Sequence, residues 1–110
     1  MAQAVLVAGP LAAAPLDAAA AFHAADLPRA RALLEQGDDL AIHFPLADHP
    51  YRAWRLAIVQ ELAREAAPRR VNGVEGHDDP ATAATIAWLA DAPAITGQLF
   101  AVDGNSGSRA

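Results

Sequence analysis

The stretch that most constrains this chain lies near its end: Ala94-Ile95-Thr96-Gly97-Gln98-Leu99-Phe100-Ala101-Val102-Asp103-Gly104. A turn signal at Thr96-Gly97 runs straight into a short apolar segment, and a second turn signal at Asp103-Gly104 closes it. A segment of that length, bounded by turns and preceded by a helical pattern, predicts a buried parallel strand. Such a strand has both faces covered, so the rest of the chain must supply further strands and helices above and below them.

The chain does so in alternation. Ala4-Val5-Leu6-Val7-Ala8, ended by Gly9-Pro10, reads as the first strand. Leu40-Ala41-Ile42-His43-Phe44 reads as the second and Arg70-Val71-Asn72-Gly73-Val74 as the third, with the fourth over residues 98–102. Between the first two, Pro15 opens an alanine-rich helix over Leu16–Ala25. Asp26-Leu27-Pro28 then predicts a break, with Asp26 as the cap of a second piece that ends near Gly37. Asp48-His49-Pro50 opens a long helix to about Ala67, and Asp79-Pro80 caps a last one, Ala81 to Asp91. The reading is α/β: one Rossmann-like domain over residues 1–105, a parallel sheet of roughly four strands with helices on both faces, and a polar tail over 106–110. At 110 residues there is no room for a full dinucleotide-binding sheet, which takes about 30 residues per βα unit.

Charge and composition narrow the function classes. The net charge of −5 disfavours nucleic acid, whose binding requires clustered Lys and Arg. The chain has no cysteine, which removes thiol catalysis and thiolate metal sites. Met1 to Phe22 lacks a basic leader and is interrupted by Gly9, Pro10, Pro15 and Asp17, so a cytoplasmic protein is expected rather than a targeted one. No run approaches the ~18 apolar residues of a membrane span. His43, His49 and His77 fall at or after strand ends near Asp48, Glu75, Asp78 and Asp79, but at no recognised ligand spacing, and no metal is expected.

On the long helix, Leu56, Val59, Leu62, Ala63 and Ala66 form one apolar arc, with Gln60, Glu61, Arg64 and Glu65 largely opposite. At about 100° per residue, Trp54 and Ile58 lie away from that arc, and Trp88 points away from Ile86, Leu89 and Ala90. Two tryptophans outside their arcs fit either a contact with another chain or a neighbouring loop of the same chain. The first option makes the protein a homo-oligomer or the partner of a related subunit.

Several of these segments resemble the short-chain dehydrogenase/reductase family. The family's chains close with a Thr-Gly-Gln turn and a Val-Asp-Gly ending, as at Thr96-Gly97-Gln98 and Val102-Asp103-Gly104. Glu65-Ala66-Ala67-Pro68 followed by Arg70-Val71-Asn72-Gly73-Val74 is similar to its "E-L-A-P" helix end and "R-V-N-x-V" strand, and Trp88-Leu89-Ala90-Asp91 to its last helix end. Arg31 to Gly37 with Leu40-Ala41-Ile42-His43-Phe44 looks like its first helix and second strand, as in the pteridine-reductase branch. The likeness is strongest over residues 61–105. It implies a strand order of second, first, third, fourth, with three family strands, the serine strand among them, missing at residues 45–47. It also implies assembly through the equivalent helices.

The same resemblance implies a nicotinamide cofactor, NAD or NADP, and a Tyr/Lys pair four residues apart. The cofactor candidates are Gly9 at the first strand end, Phe44 at the ribose position, Gly76 in the nicotinamide-side loop, and Arg52 and Arg55. The glycine-rich loop is reduced to Gly9, with Ala13 and Pro15 at the later glycine positions. Counting back from Glu65 and Pro68 puts Asp48 and Arg52 at the Tyr/Lys positions; Tyr51 and Arg55 repeat the spacing three residues later. Tyr51, Arg52 and Arg55 are therefore the catalytic candidates, none of them with the family's lysine. Arginine is not an equivalent group for that lysine. The expectation is a non-catalytic relative acting as an oligomeric or partner-binding protein. Its rivals are a minimal NAD(P)-dependent oxidoreductase and a module for a small anion held by Arg52 and Arg55.

Overall fold

The computed structural model describes residues 2–10 and 14–102. The expectations for Ala13, the Asp103-Gly104-Asn105 turn and the tail over 106–110 lie outside the described residues.

The strands are β1 (Gln3–Val7), β2 (Asp39–Phe44), β3 (Val71–Gly76) and β4 (Leu99–Val102). All three pairings are parallel, as the alternation predicts. The spatial order is β1-β2-β3-β4. This corrects the expected order of second, first, third, fourth. β2 lies between β1 and β3, with Ile42 paired to Leu6 on one side and Gly73 on the other. The strands therefore follow one another without a gap at residues 45–47. β2 takes the place beside β3, immediately before the long helix, that the resemblance gave to the serine strand.

The helices are α1 (Pro15–Ala21), a π-helical segment Phe22–Asp26, α2 (Leu27–Glu35), a 3-10 turn His49–Tyr51, α3 (Arg52–Ala66) and α4 (Pro80–Ala90). The predicted break at Asp26-Leu27-Pro28 does not occur. Proline removes a helical amide and crowds the preceding turn. The wider π turn before Pro28 absorbs that misfit, so the helix runs on. Asp26 is helical and caps nothing; its carboxylate is used elsewhere.

α1, α2 and α3 share one face of the sheet. There Leu6, Leu40, Ile42, Phe44, Val71 and Leu99 pack against Phe22, Ala30, Leu34, Val59 and Leu62. Gly73 lies on this face, and a Cβ there would stand 2.8 Å from Leu99 and 3.0 Å from Val59. Val74, Leu89 and Val102 form a smaller core with Ile86 and Phe100, so α4 lies on the opposite face. The strands step in one direction throughout, so the β3-to-β4 crossover has the opposite hand to the first two.

Trp54 and Ile58 turn out to serve the chain's own core. Ile58 is buried, and the Trp54 ring meets Phe22 at 5.7 Å and Phe44 at 6.0 Å between centroids. The π segment and α2 stand beside α3 and widen its buried arc, which a wheel drawn for one sheet contact leaves out. Trp88 stays outside, edge-on to Phe100 at 6.0 Å.

Polar anchors fix the far end of the sheet. Arg70 donates to the carbonyls of Leu89, Ala90, Ala92 and Ile95 and pairs with Asp39 at 2.9 Å. It thereby satisfies carbonyls that the end of α4 leaves open. Asn72 bridges the Ile95 carbonyl and the Gln98 amide. Gly97 adopts φ +73°, which explains the glycine of the Thr96-Gly97 turn.

Candidate functional site

The carboxyl ends of β1, β2 and β3 gather the candidates predicted from sequence. In open α/β sheets this edge is where ligands bind. Asp48 precedes the 3-10 turn, Tyr51 ends it, and Arg52 and Arg55 occupy the first turn of α3. α3 packs on β3, which places both arginines above Glu75.

Glu75 is the centre of the cluster. Its two oxygens accept from different arginines, Arg52 at 3.0 Å and Arg55 at 3.1 Å. Arg52 also donates to the Leu99 carbonyl at 2.8 Å, and Arg55 to the Pro45 carbonyl at 2.7 Å. Glu75 is 6% exposed and Arg55 1%. The Arg55 guanidinium lies 4.9 Å from the Phe44 ring centroid, 5.6 Å from Trp54 and 5.9 Å from Tyr51. Burial pushes its pKa below the usual arginine value, while the hydrogen bond and charge of Glu75, and then Tyr51, hold it up. Arginine's ordinary value is so high that it stays ionised through this shift. A buried cation of this kind needs a paired anion, and Glu75 is that anion. Arg55 Nε has no hydrogen-bond partner among the described residues, nor does the nearby Trp54 Nε1, and both atoms are shut off from solvent.

Phe44 is therefore a wall of the aromatic cage around Arg55. Gly9 ends β1, and its amide donates to Asp26 Oδ2 at 3.1 Å. Asp26 Oδ1 takes Arg29 at 2.9 Å. A carboxylate of the chain itself thus occupies the strand-end amide where the family's loop would meet a phosphate. Nothing in the sequence signals that contact, which joins residues seventeen apart across the π segment. Gly76 faces Thr82, whose Oγ1 would lie 2.3 Å from a Cβ there. Its glycine is explained by the close approach of α4. His43 Nε2 contacts the Gly76 carbonyl at 2.9 Å. Among the described residues no group of three or more metal-ligating side chains occurs.

Residues 6–102 match the family described as short chain dehydrogenase-like protein. The chain belongs to that family. No curated protein and no solved structure matches it. In this short chain dehydrogenase-like protein, the match spans β1 to β4 and includes the uninterrupted β2–α3–β3 succession. The end of β2, at the serine-strand place, carries His43-Phe44-Pro45 and no serine. Tyr51 and Arg55 are brought together beside it, four residues apart as in the family's pair, but Tyr51 is buried. The Gly9 amide is taken by Asp26 and the two arginines by Glu75, so three of the groups expected to meet a nicotinamide cofactor are partnered within the chain. No helix among the described residues is long and apolar enough to cross a membrane.

Proposed function

We propose that this protein is a non-catalytic member of its family, a cytoplasmic domain that works by assembling with itself or with a partner such as a related dehydrogenase subunit. The observation that carries this reading is Glu75 held between Arg52 and Arg55. In a working site the positive group beside the tyrosine must be free to hold a ribose and to lower the tyrosine pKa. Here the nearest cation, Arg55, is neutralised by Glu75 and sealed beneath three aromatic rings. Proton transfer needs a donor within hydrogen-bond reach of the reacting group, and hydride transfer needs a positioned cofactor. On this reading Arg52 and Arg55 serve Glu75 rather than a cofactor.

The test is turnover. Purified protein should neither oxidise alcohols nor reduce carbonyls with NAD(H) or NADP(H), and neither cofactor should raise its melting temperature. Turnover that disappears in Tyr51→Phe would overturn the reading and establish a minimal oxidoreductase. Capture of a related dehydrogenase by the tagged protein would identify the partner role.

One observation favours a second reading, the small-anion module. The Arg52 side chain is 38% exposed and lies at the start of α3, where helix amides attract anions. A rise in melting temperature with inorganic phosphate or pyrophosphate, abolished in Arg52→Ala, would support it. No rise at millimolar ligand leaves both arginines as ion-pair partners of Glu75.

A further inference from the structure

A pocket of about 120 Å³ lies between the end of β1, α1 with the π segment, and the start of α3. A cavity of roughly 150 Å³ holds benzene, so this one suits a molecule of about five or six non-hydrogen atoms. Ala18, Ala21, Phe22, Ala25 and Phe44 give it apolar walls. Ala21 and Ala25 are exposed and form its rim.

Asp26, Trp54 and Arg55 line the same pocket. Trp54 Nε1 and Arg55 Nε are the two neighbouring nitrogens that are shut off from solvent and have no partner among the described residues. Each is an N–H donor with no accepting capacity. A buried donor left unsatisfied is costly, and protein interiors pair such groups. Arg55 is 1% exposed, and its Nη1 is already engaged by Glu75 and the Pro45 carbonyl, which leaves Nε to take an acceptor of its own. Asp26 offers the complement. Its carboxylate has about four lone-pair sites, of which the Gly9 amide and Arg29 each take one.

Charge narrows the guest further. The Arg55 cation is matched by Glu75 and the Asp26 anion by Arg29. An anionic guest would meet the Asp26 carboxylate, and a cationic one the Arg55 guanidinium; an uncharged guest avoids both. An amide carries a carbonyl oxygen for the two donors and an N–H for the carboxylate on one small frame.

We infer that this pocket binds a small uncharged amide of lactam size, its carbonyl accepting from Trp54 Nε1 and Arg55 Nε and its N–H donating to Asp26. The site is separate from the assembly reading and from the anion reading at Arg52. The experiment titrates isotope-labelled protein with the lactam pyrrolidinone and follows the Trp54 indole and Arg55 Nε–H signals by NMR. Both should move saturably at millimolar ligand, while the indole of Trp88, on α4 across the sheet, stays in place. Cyclopentanone has the same ring shape without the N–H and should bind about tenfold more weakly. Acetate should move neither signal. Ala21→Leu fills the pocket from its exposed rim and should abolish the shifts in a protein whose spectrum stays dispersed. Trp54→Phe keeps a ring but removes one donor, and should weaken lactam binding about tenfold as read at Arg55 Nε. No saturable shift with pyrrolidinone overturns the site, as does binding that both variants leave intact. Cyclopentanone binding as tightly as the lactam, or acetate displacing it, overturns the assignment to an uncharged amide.

Discussion

Replacing Glu75 with glutamine tests the reasoning about the buried cluster most directly. The substitution keeps the side-chain volume and one acceptor but removes the charge that compensates Arg55. Arg55 is almost wholly buried, and its remaining anchor on that side is the Pro45 carbonyl. Removing one partner of a buried ion pair costs about 3–5 kcal/mol. Arg52 adds little, because its side chain is over a third exposed and solvent-screened pairs contribute about 0–1 kcal/mol. Each kcal/mol lowers the melting temperature of a domain near this size by about 4–8 °C, so Glu75→Gln should melt well over 10 °C below wild type. Urea unfolding followed by Trp54 fluorescence gives the free energy itself. Arg55→Met combined with Glu75→Leu should recover part of the loss, because an apolar replacement leaves no buried charge uncompensated. A Glu75→Gln protein within about 1 kcal/mol of wild type, or an Arg52→Ala as damaging as Arg55→Ala, would refute the assignment of Arg55 as the buried, dependent partner.

Three further expectations follow from local geometry. Gly73→Ala places a methyl group against Leu99, Phe44 and Val59, and such overpacking should lower stability by about 1–3 kcal/mol in a denaturant titration. Arg70→Ala strips the carbonyl ligands from the end of α4 and leaves Asp39 buried without its cation; hydrogen exchange should quicken first in the last turn of α4. Asp79 accepts the Thr82 amide at 2.9 Å, and that hydrogen bond holds its carboxyl below the ordinary value. Its contribution to stability is therefore fully present above the unfolded carboxylate pKa and is lost as pH falls through the lower folded value. Asp79→Asn should flatten that part of the acid-unfolding curve, and an unchanged curve would rule out the cap as its source.

The polar side chains at the sheet edge illustrate how far local pattern reaches. Asp79 as a helix cap, Gly97 as a turn glycine and the four apolar runs as strands were legible because each depends on residues within a few positions. The partner of Arg52 and Arg55 was not fixed by local pattern, because Asp48, Glu75, Asp78 and Asp79 all fall near the same strand ends. The register of β3 against α3 selects Glu75. The Asp26–Gly9 contact gave no signal at all, since it depends on a π turn whose purpose is to carry the helix past Pro28.

The sequence by itself determined the alternation of strands and helices, the parallel sheet that this alternation requires, and the family. These follow from hydrophobic period, turn chemistry and helix caps, which act over short spans of chain. Tertiary structure decided the rest. The strand order depends on which edges meet, and no periodicity within a strand records its neighbour; β2 therefore took the central place that the resemblance had given to β1. The role of Trp54 depended on a second helix standing beside α3, and that of Arg55 on Glu75 and three rings arriving from separate segments. Burial converts an arginine suited to binding an anion into one that requires its own, and burial is a property of the assembled fold.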